Sequence, residues 1–323
     1  MSNMRFVDLH CDTLACEVYR SCGKISLRSN TECHISLERM KKGDSLLQCF
    51  ALYIPTPATD AYTGEQIGPW EYFLKTAACY EEEMAKNADM IAPVLTYGDI
   101  EKNVAAGKLS AMLTVEDGVP LEGKIERVDE MYKKGVRLIT ITWNHENTLG
   151  FPNESAPDKG LKPFGIEALA RMNELGIIAD SSHLSDAGFW DLVKHSTKPF
   201  VASHSNAKAL CGHYRNLTDD MLRALADKGG VTGLNFCPPF LTEGSRTTNV
   251  ADLVRHARYI ADVAGVETVA LGSDFDGIGG TLEFKDIAGF PMIEEGLNKA
   301  FTAREVDMIT HENALRVIKA NMG

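Results

Sequence analysis

Several things are missing from this sequence, and each absence removes a class of protein. No apolar run approaches the roughly eighteen residues needed to cross a bilayer. No basic cluster is longer than Lys41-Lys42 or Lys133-Lys134, and the formal net charge of −12 would repel phosphate backbones. Membrane and nucleic-acid partners are therefore not expected. The opening Met1-Ser2-Asn3-Met4-Arg5 lacks the long apolar core and small-residue cleavage site of an export signal, so the expected location is cytoplasmic. The C-x-x-C spacing of zinc ribbons is absent around Cys11, Cys16 and Cys22, and the eight cysteines read as reduced core residues rather than disulfides. No internal repeat, low-complexity tract or linker divides the chain. Residues 1–323 are thus expected to form a single domain.

What is present is an alternation. Apolar or β-branched runs bounded by Gly, Pro, Asn or Asp fall at residues 4–10, 45–53, 110–116, 136–143, 177–183, 199–204, 230–236 and 268–274. Several are almost wholly apolar, as strands buried on both faces should be. Helical patterns lie between them at residues 70–88, 125–134, 163–175, 186–195, 218–228 and 250–264. Gly135, Gly176, Gly229 and Gly265 stand just past helix ends, and Ser185-Asp186 and Thr218 mark starts. Eight strands alternating with helices predict a (β/α)8 TIM-like barrel of the metal-dependent hydrolase type. Residues 21–42 and 54–69 read as long loops after the first two strands, and residues 292–322 as closing helices.

The chemistry is concentrated where the apolar runs stop. His10 and Asp12, Glu116, His183, His204 and Asp274 each lie at or just past the end of such a run. A barrel brings the C-terminal ends of its strands to one face, so these residues converge although they are far apart in sequence. On a strand, His10 and Asp12 share one face while Cys11 takes the other. Taken alone, this H-x-D pair fits a cation and a simple His–Asp hydrogen bond equally well. His10, Asp12, Glu116, His183 and His204 together suit two cations, since zinc accepts both imidazole and carboxylate and two ions can share a bridging carboxylate. Glu116 is the natural bridge, with the adjacent Asp117 as the alternative ligand. Asp276 competes with Asp274, because either could serve as a turn residue before Gly277.

Asp8-Leu9-His10-Cys11-Asp12-Thr13, Val115-Glu116-Asp117-Gly118, Asp180-Ser181-Ser182-His183-Leu184-Ser185, Ala202-Ser203-His204-Ser205, Arg215-Asn216-Leu217 and Gly272-Ser273-Asp274-Phe275-Asp276-Gly277 occur in that order. With Asn313-Ala314-Leu315-Arg316-Val317 near the end, the chain resembles the membrane (renal) dipeptidase family, peptidase family M19, among the amidohydrolase-type barrels. The resemblance implies a binuclear zinc dipeptidase. His10 and Asp12 would hold one Zn2+, His183 and His204 the other, and Glu116 would bridge them. Other divalent metals fit mixed nitrogen and oxygen ligands too. The implied reaction is hydrolysis of a dipeptide amide bond by hydroxide shared between the metals, with Asp274 as the acid and base. It also implies broad side-chain tolerance, including a D-residue at the C-terminal position.

In the resemblance Arg215 binds the substrate's terminal carboxylate, for which a guanidinium is well shaped. From the sequence alone, a surface salt bridge to Asp219 or Asp220 is the stronger reading of Arg215. The family's substrate-contacting histidine after the fourth strand has its nearest counterpart in His145, displaced by a residue or two, with catalytic and substrate-binding roles in the implied scheme. An idle loop histidine is the alternative. His34, His195, His213, His256 and His311 receive no role. Rival functions are another binuclear amidohydrolase-type enzyme, such as a deaminase or lactonase, and a non-catalytic metal-binding barrel. A homodimer is compatible with the sequence.

Overall fold

The computed structural model describes residues 5–323. Eight parallel strands close on themselves: β1 (Phe6–Cys11), β2 (Ser45–Tyr53), β3 (Leu109–Glu116), β4 (Val136–Thr140), β5 (Ile178–Asp180), β6 (Val201–Ala202), β7 (Val231–Leu234) and β8 (Val269–Leu271). Neighbours run β2-β1-β8-β7-β6-β5-β4-β3, and β3 returns to β2 with Leu47 opposite Ser110 and Tyr53 opposite Glu116. The expected (β/α)8 barrel is therefore what the chain forms, and every predicted strand is present.

Most strands stop short of the expected ends. His183, His204 and Asp274 lie on the connecting loops beyond Asp180, Ala202 and Leu271 rather than on the strands. His183 (φ 67°) and Asp274 (φ 62°) are in the left-handed region, where an extended chain cannot continue. A further short strand, Ile91–Pro93, pairs with Leu109–Ala111 on the edge of β3 that β4 occupies higher up. Its length and its proline hide it from pattern reading.

The helices Pro163–Leu175, Asp186–His195 and Val250–Ala264 have the expected bounds. The helix Tyr97–Ala105 was not expected, and its start is fixed by a capping box between Thr96 and Asp99. The expected first loop is not wholly irregular, because it contains the helix Leu37–Lys42, capped by Ser36. The second loop carries a small hairpin of Ala58–Thr59 with Gln66–Ile67.

Each barrel strand contributes to one inner apolar cluster, through Val7, Leu47, Met112, Leu138, Ile178, Val201, Val231 and Ala270. Ala314, Val317 and Ile318 of the closing helix Asn313–Met322 join it and stopper the barrel. With that end filled by packing, the chemistry is left to the opposite mouth. All eight cysteines are free thiols, as expected, and Cys11 is buried in the outer apolar cluster, away from its neighbours His10 and Asp12. No helix among the described residues is long and apolar enough to cross a membrane.

Candidate metal centre

Strand ends and the loops after them bring the residues together. His10 sits on β1 with Asp12 just beyond it, and His10 Nε2 is 3.5 Å from Asp12 Oδ2. Glu116, the last residue of β3, places Oε2 3.6 Å from the same nitrogen. Its other oxygen, Oε1, is 3.1 Å from His183 Nε2 and 3.7 Å from His204 Nε2. Glu116 therefore spans two groups of donors, one on each carboxylate oxygen. His10, Glu116 and His204 form one compact set of potential ligands, and His10, Asp12 and Asp274 another.

The donor set fits divalent cations. His10 Nδ1, His10 Nε2 and Asp12 Oδ1 are buried without any hydrogen-bond partner, a costly arrangement unless something else satisfies them. The Nε2 atoms of His183 and His204 stand only 3.0 Å apart beside a carboxylate. Gly277 has no side chain where a Cβ would meet Asp12 Oδ2 at 2.1 Å and Asp274 Oδ1 at 2.6 Å. Space at the carboxylates is thus kept clear.

The electrostatics agree with this. Burial first, and then the neighbouring Asp12 carboxylate, push Glu116 above the ordinary carboxylate range. Burial likewise raises Asp274, with His10 pulling the other way. Burial alone would lower His10, but the Glu116 and Asp12 carboxylates raise it well above its ordinary value. His183 and His204 are held well below theirs by burial, which keeps them neutral and able to donate a lone pair. Without cations, the carboxylates must compete for protons.

The sequence alternatives separate cleanly. Asp274 faces His10 Nε2 at 4.0 Å and accepts a hydrogen bond from Asn235 Nδ2 at 2.9 Å. Asp276 instead accepts from Thr13 Oγ1 and from the His34 backbone N–H, both at 2.5 Å, and so ties down the first loop. Asp117 turns away with φ 77° and accepts from Asn147 Nδ2 at 2.7 Å and from the Val119 N–H at 2.9 Å. Arg215 is buried rather than on the surface, and its guanidinium points to Ser205 Oγ and the His204 carbonyl at 3.4 Å each. Asp219 pairs with Arg223 and Tyr259 instead, so the surface salt bridge is not formed.

A cavity of about 270 Å³ opens onto Asp12, Glu116, His183 and Asp274, walled by Tyr53, Trp143, Phe240 and Ile278. His145 is not among its lining residues. It is exposed, and its ring packs against Trp143 with centroids 5.5 Å apart. From that loop Trp143 and Asn144 line the cavity, and Asn144 Oδ1 lies 2.8 Å from His183 Nδ1. Trp143, Asn144 and Asn235 carry no acid or imidazole, so a pattern of titratable residues past apolar runs does not mark them. The same rule applied to amides and aromatics reaches all three.

A family model described as membrane dipeptidase (peptidase family M19) matches residues 1–322. An uncharacterized protein in the pqqA 5′ region of Klebsiella pneumoniae is 35% identical over 261 residues, covering 78% of this chain and 96% of that one. An uncharacterized dipeptidase of Schizosaccharomyces pombe is 36% identical over 223 residues, 66% of this chain and 53% of that longer protein. The crystal structure of a metallo peptidase from Rhodobacter sphaeroides, liganded with a phosphinate mimic of the dipeptide L-Ala-D-Ala, is similar with TM-score 0.90 at 26% identity and covers 99% of both chains.

Proposed function

The chain belongs to the membrane dipeptidase family, peptidase family M19, and from that membership we propose a binuclear zinc dipeptidase in which Glu116 joins the two cation positions. The family match and the fold together make this a metal-dependent dipeptidase of that family. In the proposed arrangement His10 and Asp12 would hold one cation, and His183 and His204 would hold the other. Zinc suits this mixture of imidazole and carboxylate. When bound, the cations would supply Lewis acidity and make water acidic enough to ionise near neutral pH.

The protein's own groups do the rest. Asn235 holds one oxygen of Asp274, leaving the other free on the cavity side. Asp274, which lines the cavity, takes a proton from the attacking water and returns it to the departing amine. Arg215, buried beside the His204 carbonyl, pairs with the dipeptide's terminal carboxylate. That anchor sets the register of cleavage, because it places the bond one residue from the terminal carboxylate at the cations. Tyr53, Trp143 and Phe240 wall the cavity beside the carboxylates. The dipeptide mimic bound by the Rhodobacter sphaeroides relative supports a dipeptide here, including one with a D-residue at the C-terminal side.

The observation that carries this reading is Glu116 facing His10 with one oxygen and His183 and His204 with the other. Elemental analysis beside a panel of L,L- and L,D-dipeptides, lactones and aminopurines tests it. The expected result is two zinc ions per chain with turnover confined to dipeptides, and about one ion in His183→Ala. Turnover of lactones or aminopurines instead would favour the other amidohydrolase-type chemistries. Two bound metals with no turnover of any compound would favour a binding barrel.

A further inference from the structure

A histidine serves a metal only if the nitrogen facing the cation lacks its hydrogen, and two of the three histidines have neighbours that dictate this. His204 Nδ1 lies 2.7 Å from Ser203 Oγ, which lies 2.6 Å from Asp180 Oδ2. Asp180 is fully buried at the end of β5. Its oxygens also accept from the Thr140 hydroxyl at 2.6 Å, the Ser203 backbone N–H at 2.8 Å and the Ser182 backbone N–H at 3.0 Å. Every group around this carboxylate is a donor, so the single hydroxyl hydrogen of Ser203 points to Asp180. Toward His204, Ser203 Oγ is then the acceptor, and His204 Nδ1 must carry the hydrogen. Its Nε2 is left as a bare lone pair beside Glu116 Oε1 and His183 Nε2.

Asn144 acts on His183 in the same way, with its Oδ1 accepting from Nδ1 at 2.8 Å. His10 has no such aid, since its Nδ1 is buried without a partner. The two cation positions are thus prepared unequally. We propose that Asp180, acting through Ser203, is a positioning residue that fixes the Nδ1–H tautomer of His204, so that the position held by His183 and His204 fills before the one held by His10 and Asp12. Partners that orient a ligating histidine this way typically change metal affinity 10–100-fold. The filling order rests on the two-cation reading above, whereas the tautomer does not.

The test uses the full chain freed of metal by chelation. Long-range 1H–15N NMR of the histidine rings should show His204 as a single Nδ1–H tautomer in the unsubstituted protein. A His204 protonated on Nε2, or an even mixture, would overturn the proposal without any variant being made. Titration with Co2+, followed by visible absorption and calorimetry, should resolve two binding events. In Ser203→Ala, checked for native circular dichroism, the tighter event should weaken about 10–100-fold and approach the second. An unchanged tighter event would overturn the assigned order. Saturation of the unsubstituted protein at one ion per chain would sink the two-cation reading, leaving the NMR result to decide the role of Asp180.

Discussion

Asn235 Nδ2 donates to Asp274 Oδ2 at 2.9 Å, joining the loop after β7 to the carboxylate that follows β8. The Asn235 side chain is itself fixed, because its Oδ1 accepts the Cys237 backbone N–H at 2.6 Å. One oxygen of Asp274 is therefore committed to an amide, while the other lies 4.0 Å from His10 Nε2.

Asp274→Asn keeps the size of the side chain and removes its capacity to take a proton. The expected outcome is unchanged metal content with kcat lowered by about 10²–10⁴-fold. Steady-state kinetics beside elemental analysis checks it, and undiminished turnover would assign the role to another carboxylate.

Arg215→Met removes a buried guanidinium whose Nε has no partner within the protein. Charge-assisted hydrogen bonds are worth about 1.5–3 kcal/mol, so KM for dipeptides should rise by about 10–100-fold while metal content stays the same. A dipeptide amide, which lacks the terminal carboxylate, should be a poor substrate for both proteins and discriminated against only by the unsubstituted one. Equal KM values for the dipeptide in both would remove Arg215 from substrate binding.

His256 predicts a pH dependence of stability. Its Nδ1 accepts the Ala207 backbone N–H at 3.2 Å and its Nε2–H donates to the Leu241 carbonyl at 2.9 Å, so the folded protein holds it neutral. Burial lowers it from 6.5 to about 4. The unfolded chain then takes up a proton at a pH where the folded one does not. This stabilisation is complete above pH 6.5 and is lost as pH falls toward 4, amounting to about 3 kcal/mol. Urea unfolding across that range should show a shallower fall in stability for His256→Gln than for the unsubstituted chain. Parallel curves would show that His256 does not contribute.

Much of the architecture was readable because burial and strand length are local properties. The runs at 45–53 and 110–116 stand out because both faces of β2 and β3 are covered, which makes the sequence almost continuously apolar. The strand Ile91–Pro93 was not readable, since three residues carry no period and its pairing depends on a gap left below β4. The helix Tyr97–Ala105 left a signal in Thr96 and Asp99 that a search for caps would have found.

The sequence by itself determined the eight-strand alternation and that imidazoles and carboxylates stand at or just past the apolar runs, because each is written in a few consecutive residues. Only the tertiary structure decided which of them share a site. Asp117, His183, Asp274 and Asp276 all lie in left-handed backbone, where the direction of the side chain is set by how the loop packs and not by strand alternation. That packing turns Asp274 toward His10 and Asp276 toward Thr13, buries Arg215 beside His204, and leaves His145 outside against Trp143.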